Sequence, residues 1–343
     1  MKEGKRILIF NVNWIGDVLF STAVIRNIRR NYPDSFIACV IPGSCYPVLK
    51  GNPHLDEIVI FDEKERHQGV ISKFSFAQLL KHKRFDLAIL LHGSFTRALI
   101  CKLADIPERI GYNTKKRGWL LTKKISLPSK DALHRIDYYL NIIEKAGERV
   151  EDRYPEFFIS EDDESFIAGF LNKEGIAKDE IVVGINAGGN WLPKRWPGEF
   201  WSRLIELIQQ KFPVKMIISG GHQDLTLAKK IAEPLKNKPI ITCGMFNLKQ
   251  SAALLKRLDL FISADTGPLH IANTVGAKRI IALFGPTHTS ITGPFPVKNV
   301  TILQKDIGCK VPCYVVNCKD NRCMKAISPE EVLEEVKLAL KGK

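Results

Sequence analysis

Short apolar runs alternate with longer helical patterns along most of this chain. The first run, residues 7–10, leads into the loop "NVNWIGD" and then a helical pattern from Val18 to Arg30. Runs at 35–41, 57–61, 85–91 and 108–113 read as further strands. Between them, "FSFAQLLKHK" and "SFTRALICKLA" carry helical spacing, and residues 134–147 read as a helix ending in glycine. Strands alternating with helices imply βαβ units and a parallel sheet. Strands that are apolar almost throughout fit a sheet covered on both faces.

The pattern breaks after Gly147. "ERVEDRYPEFFISEDDESF" is acidic, contains Pro155 and reads as a linker, with "AGFLNKEG" finishing a helix. A second series starts at Ile181. Its strands are "IVVGIN", "VKMIIS", "PIITCG", "LDLFISAD" and "RIIALFG", with helical patterns between them. "SPEEVLEEVKLALKGK" closes the chain as a helix, with Ser328 at the N-cap, Pro329 at the first helical position and Glu331 completing a capping box. The expected organisation is an N-terminal α/β domain at 1–160, a linker region at 161–180, a C-terminal α/β domain at 181–327 and a terminal helix at 328–343. The expected fold is therefore α/β, with two Rossmann-like domains facing across a cleft. Ligands of such sheets bind at the carboxyl ends of strands, so the loops after strands are where chemistry is expected.

Three loops stand out. In "SADTGPLHIANTVGAKRIIALFGPT", Asp265, Thr266, Gly267 and Pro268 stand where a strand hands over to a helix. Gly267 permits close backbone approach, and the free N–H groups of the first turn with the Thr266 hydroxyl suit a phosphate. A carboxylate there would repel that phosphate, so Asp265 is read as an acceptor for sugar hydroxyls, or as a plain N-cap. His270, one turn on, is a packed helix residue or a phosphate contact. In "NAGGNWLPKRWPGEFW", Gly188 and Gly189 with Lys194 and Arg195 suit a diphosphate leaving group. In "NVNWIGDVLF", Asp17 opens a helix; it is a helix-terminal acid or a general base toward a sugar hydroxyl. Neither G-x-G-x-x-G nor GK[ST] is present in these loops, which weakens a nicotinamide reading and excludes a P-loop.

Composition changes the picture in two places. The net charge of +14 points to an anionic partner. The basic residues concentrate from Arg97 to Arg135, where Lys102, Arg109, Lys115, Lys116, Arg117, Lys123, Lys124 and Lys130 face only Asp105, Glu108 and Asp131. Cys39, Cys45, Cys101 and Cys243 sit among apolar residues and read as core. Cys309, Cys313, Cys318 and Cys323 cluster as C-x3-C-x4-C-x4-C. That cluster is a possible structural zinc site, a set of free thiols or a pair of disulfides. No run reaches the ~18 apolar residues of a membrane span, and the N-terminus lacks the apolar core of a signal peptide. The expected location is the cytoplasm.

At these loops the chain resembles the lipopolysaccharide heptosyltransferases, glycosyltransferase family 9. "WIGD", "PKRWP" and the Ser263–Thr287 segment each resemble a family motif, and the likeness extends over both domains. "GCKVPCYVVNCKDNRCMKAISPEEV" resembles the cysteine-bearing tail of many heptosyltransferase II sequences. The resemblance implies a glycosyltransferase-B fold and an ADP-heptose donor held by the C-terminal domain. It also implies a lipopolysaccharide inner-core lipid as acceptor, inverting transfer, and no cofactor required for catalysis.

By the same resemblance, Asp17 stands at the general-base position and Lys194 at the phosphate-neutralising lysine. Asp265 matches the donor-sugar aspartate, and Thr266 and Gly267 the phosphate-binding turn. Asp224, in "SGGHQD", is the candidate for the nucleotide ribose, and Phe246, in "GMFNL", for the adenine. Asn13, Arg97, Arg117 and Arg135 are the candidate acceptor contacts. A chain without an anchor acting on a lipid is expected to be peripheral at the anionic cytoplasmic face of the inner membrane, held there by the basic surface around 115–124. The alternatives are a nucleotide-sugar epimerase of the same architecture and a basic nucleic-acid-binding protein. The charge suggests the second, but nucleic acid is not expected, because no aromatic interleaving or binding motif accompanies it.

Overall fold

A computed structural model describes residues 4–114, 116–129, 133–313, 315 and 317–341. The chain divides into two compact units, Met1–Phe158 and Ile159–Lys343.

The first unit runs β1 (Arg6–Phe10), α1 (Ile15–Asn31), β2 (Phe36–Ile41), α2 (Tyr46–Leu49), β3 (Glu57–Ile60), α3 (Val70–His82), β4 (Leu87–Leu90), α4 (Phe95–Leu103), β5 (Glu108–Tyr112), β6 (Lys123–Ile125) and α5 (Arg135–Lys145). Its sheet has the order β3-β2-β1-β4-β5-β6, and every pairing is parallel. Ile7, Leu8 and Ile9 of β1 are wholly buried, as a central strand covered on both faces requires. One face packs Leu8, Phe10, Ala88 and Leu90 against Phe76, Ala77 and Leu80 of α3 and Ala98 and Cys101 of α4. Helix α1 packs along α5.

The second unit runs α6 (Glu161–Lys173), β7 (Ile181–Asn186), α7 (Gly198–Lys211), β8 (Val214–Ser219), α8 (Leu225–Ala232), β9 (Ile240–Ile241), α9 (Leu248–Arg257), β10 (Leu260–Ala264), α10 (Gly267–Thr274), β11 (Ile280–Phe284), α11 (Thr289–Thr292), β12 (Val300–Gln304), α12 (Arg322–Lys325) and α13 (Pro329–Leu340). The order is β12-β11-β10-β7-β8-β9, again all parallel. Helix α13 packs on α7 and completes the core over Val183, Ile185, Leu260 and Ile262. The Ser328 hydroxyl accepts from the Glu331 N–H at 3.2 Å, as its capping position anticipates.

Each sheet is doubly wound and changes direction once: between β1 and β4 in the first unit, between β7 and β10 in the second. At such a switch point the flanking helices leave on opposite faces, and the loops beyond the strand ends open a crevice. The loops after β1, β7 and β10 are the three that the sequence singles out.

Two expectations need correction here. The acidic segment from Ser160 is not a linker but the start of α6, which packs on α9 within the second unit. Ser160 caps that helix in a capping box with Asp163, and Glu161, Asp162, Asp163 and Glu164 occupy its first turn, where the helix dipole favours negative charge. Helix α3 also begins four residues earlier than "FSFAQLLKHK" suggests, at Val70.

Candidate functional site

In the second unit the site forms around Asp265, which is 4% exposed at the end of β10. Lys194 Nζ lies 2.7 Å from Asp265 Oδ2, Thr287 Oγ1 donates to the same oxygen at 2.7 Å, and Thr292 Oγ1 lies 3.3 Å away. His270 Nε2 is 3.2 Å from Oδ1. Burial alone would raise this carboxyl. The His270 hydrogen bond and the Lys194 charge outweigh burial and hold it well below the usual carboxylate range. Asp265 is therefore an ionised carboxylate with its charge matched on site. It is not an N-cap: Thr266 occupies that position of α10, and no side chain caps the helix.

Lys194 reaches Asp265 because its neighbour is anchored. Trp196 is 2% exposed, stacks edge-on against Trp201 at 4.8 Å and donates its indole N–H to Ile327 O at 2.9 Å. In "PKRWP" the tryptophan is thus core, and it fixes the loop that presents the lysine. Arg195 turns back on that loop, its Nε donating to Gly189 O at 2.7 Å, while Asn321 Nδ2 donates to Arg195 O at 2.8 Å. Arg195 braces the glycine turn.

The glycines are required by close approach. A Cβ on Gly188 would lie 2.2–2.5 Å from the Asp224 carboxyl atoms. Gly189 has φ +141°, a backbone that disfavours other residues, and a Cβ there would meet Thr266 Cγ2 at 3.2 Å. The turn after β7 thus runs between Asp224 on one side and Thr266 on the other. Asp224 is 7% exposed; Oδ2 accepts from Gly221 N at 2.9 Å, and Oδ1 is buried with no partner among the described residues. Phe246 does not join this group. It packs against Phe170 and Phe166 of α6 at 5.0 and 6.1 Å, and Met245 beside it is exposed.

In the first unit Asp17 lies in the first turn of α1, with its side chain 29% exposed. Tyr139 Oη donates to Asp17 Oδ1 at 2.8 Å, and Arg135 Nε lies 3.7 Å from the same oxygen. Burial and then the adjacent Asp17 charge push the Tyr139 phenol well above its ordinary value, so it remains a donor at neutral pH. Of the four expected acceptor contacts, Arg135 stands beside Asp17, and Asn13 holds its side-chain oxygen to Arg97.

Arg97 and Arg117 are corrections. Arg97 is 2% exposed; it hydrogen-bonds Asn11 O and Asn13 Oδ1 beneath the loop after β1, lies over the Phe10 ring, and burial lowers its guanidinium to about 10. Arg117 is wholly buried and ties Tyr112 O at 2.9 Å to His92 O at 2.6 Å. Both cations stitch strand-end loops together and neither faces solvent. Lys115 and Lys130 lie outside the described residues. The basic surface expected around 115–124 therefore loses Arg117, while Lys116, Lys123 and Lys124 are exposed.

The cysteine cluster gives the zinc reading no support. Cys309, Cys313, Cys318 and Cys323 are free, with Cys309 and Cys318 exposed. Among the described residues no group of three or more His, Cys, Asp and Glu side chains is placed to hold a metal. Tyr139 beside Asp17 in the first unit, and Thr287 and Thr292 beside Asp265 in the second, escape sequence reading, because no local spacing signals a partner 122, 22 or 27 residues away.

Residues 73–322 match the profile of glycosyltransferase family 9 (heptosyltransferase). The lipopolysaccharide heptosyltransferase 2 of Escherichia coli K12 is 24% identical over 306 residues, covering 85% of this chain and 86% of that protein. Among solved structures, a family 9 glycosyl transferase from Veillonella parvula superposes with a TM-score of 0.90 at 25% identity, covering 100% of this chain and 99% of that one. The E. coli ADP-heptose lps heptosyltransferase II superposes with a TM-score of 0.81 at 22% identity, covering 98% of each.

Proposed function

Because the chain belongs to glycosyltransferase family 9 and is a glycosyltransferase, we propose that it moves a heptose from ADP-heptose onto the inner core of lipopolysaccharide, in the manner of heptosyltransferase II. This membership favours transfer over the epimerase and nucleic-acid readings. The observation that carries the proposal is the Lys194–Asp265 pair beside the uncapped start of α10. One subsite there offers the Lys194 cation and the Gly267 N–H to a diphosphate, the Leu269 N–H being bonded to Thr266 O at 3.1 Å, and next to them an ionised carboxylate to sugar hydroxyls.

The roles follow from charge. As the sugar–phosphate bond breaks, negative charge grows on the departing diphosphate, and Lys194 with the Gly267 N–H at the start of α10 neutralises it. Asp265, kept ionised by its neighbours, accepts hydrogen bonds from the heptose hydroxyls and fixes the ring for in-line attack. Asp224 Oδ1, buried and with no partner among the described residues, accepts from the ribose. Gly188 and Gly189 let the backbone approach the nucleotide. Asp17 takes the proton of the attacking acceptor hydroxyl, so attack from the face opposite the diphosphate inverts the anomeric centre. Tyr139 holds that carboxylate in one orientation, and Arg135 attracts the anionic acceptor. No step requires a cofactor. The lipid acceptor places the protein at the cytoplasmic face of the inner membrane. No helix among the described residues is long and apolar enough to cross a membrane, so peripheral association fits.

Release of ADP tests the proposal. It should require ADP-heptose and a core acceptor lacking the outer heptose together. ADP release at equal rate with and without acceptor would reject transfer.

A further inference from the structure

Helix α3 departs from the rule that a surface helix is apolar on one side only. Its inward face is well anchored: Phe76, Ala77 and Leu80 are buried, and the Phe76 ring stacks on Phe61 at 4.5 Å. Its outward face is apolar too. Val70 and Ile71 are each 84% exposed, Phe74 is 51% exposed and Leu79 is 47% exposed. Val70 and Phe74 stand one turn apart with Ile71 between them, so the first turn presents one continuous apolar knob.

Within the helix and its flanks the charge is of one sign, although Asp62, Glu63 and the exposed Glu65 directly precede it. From Arg66 to Arg84 the chain carries Arg66, Lys73, Lys81, Lys83 and Arg84 and no Asp or Glu. Lys81 and Lys83 are paired, with Asp105 at 2.7 Å and Glu57 at 2.6 Å. At the first turn, Arg66 and Lys73 make no ion pair among the described residues; Arg84 lies past the other end of the helix. Lys73 spends one donor on Gln68 O at 3.1 Å. An exposed apolar turn fringed by unpaired cations is complementary to a surface that is apolar below and anionic above, which is the interfacial layer of a membrane.

We propose that the first turn of α3 seats this protein on an anionic lipid bilayer, with Val70, Ile71 and Phe74 entering the interfacial layer and Arg66 and Lys73 meeting the headgroups. The choice of a membrane rests on the lipid-linked acceptor proposed above. It adds a membrane contact to the 115–124 stretch, where Arg117 is buried while Lys116, Lys123 and Lys124 are exposed.

The test is co-sedimentation of the full chain with phosphatidylglycerol vesicles and with phosphatidylcholine vesicles, with no donor or acceptor present. Wild type should partition onto the anionic vesicles. Val70→Asp/Ile71→Asp should lose partitioning by roughly tenfold or more, the effect of withdrawing two aliphatic side chains from an apolar phase. Arg66→Glu/Lys73→Glu should lose it in proportion to the charge reversed and flatten its salt dependence. These side chains are exposed, so thermal unfolding should match wild type. Both variants should also keep wild-type turnover on a delipidated, soluble acceptor, which separates failure of this surface from failure of the heptosyltransferase reading. Equal partitioning of wild type and the Val70/Ile71 variant would overturn the proposal. So would a concentration-dependent dimer in analytical ultracentrifugation that the same variant abolishes, because a second copy would then be what covers the turn.

Discussion

Lys194 Nζ and Asp265 Oδ2 lie 2.7 Å apart, and the carboxylate is almost wholly buried while the ammonium is partly open. The pair does two things. It keeps Asp265 ionised inside the unit, and it holds a cation beside the uncapped start of α10. In the proposed reaction a donor diphosphate would compete with Asp265 for that cation, so charge would pass between protein and substrate without a naked ion being buried.

The depressed Asp265 carboxyl has a sign-definite effect on stability. A carboxyl whose folded value lies below the unfolded ~3.9 contributes stability that is present above that value. The contribution is lost as pH falls through the folded one. Asp265→Asn should cost about 3 kcal/mol at neutral pH, the scale for breaking a buried pair. The deficit should narrow below pH ~4. Denaturant unfolding of both proteins across pH checks this; a deficit independent of pH would contradict it.

Donor binding should separate the two partners. Lys194→Ala should weaken ADP binding and lower turnover by roughly 100-fold, the usual effect of removing one stabilising group at a developing anion. Asp265→Ala should leave ADP binding near wild type while ADP-heptose binding falls. Calorimetry with both ligands measures it, and equal losses for ADP and ADP-heptose at Asp265→Ala would remove the sugar-binding role.

In the proposed mechanism Tyr139, which donates to Asp17 at 2.8 Å, acts as a positioning residue for the base. Asp17→Asn should lose about 10²–10⁴-fold in turnover, as expected for a general base. Tyr139→Phe should lower kcat by several-fold with the acceptor KM nearly unchanged, since the phenol touches the base and not the substrate. A rise in KM at constant kcat would mean that Tyr139 contacts acceptor instead.

The Gly188–Asp224 contact allows a paired test. Gly188→Ala drives a methyl group into the Asp224 carboxylate and should destabilise the protein. Adding Asp224→Ala should restore stability but not ADP affinity, because the ribose acceptor is gone. Recovery of both stability and ADP affinity would show that Asp224 serves only the fold.

Much of this was legible from pattern. The central strands announce themselves because they are apolar on both faces, and the loops after β1, β7 and β10 because glycine stands with a carboxylate or with cations at each strand end. The short strands β6 and β12 escape, because Lys123, Lys124 and half-exposed edge positions carry no core pattern. The acidic run at Glu161–Glu164 reads as a linker because composition does not say that four acids sit in a helix's first turn. Arg97 and Arg117 are recognisable as cations, but nothing local tells that backbone carbonyls will bury them. Asp17–Tyr139 and Asp265–Thr287 are products of topology, invisible until the sheets are wound.

The most direct measurement of the central claim is the product. Purified protein, ADP-heptose and a core acceptor truncated before its second heptose should yield acceptor heavier by one heptose residue. ADP should appear in equal amount, and the new glycosidic bond should be inverted relative to the donor when read by mass spectrometry and NMR. Unchanged acceptor with donor epimerised or hydrolysed, or a linkage that keeps the donor's configuration, would contradict the account.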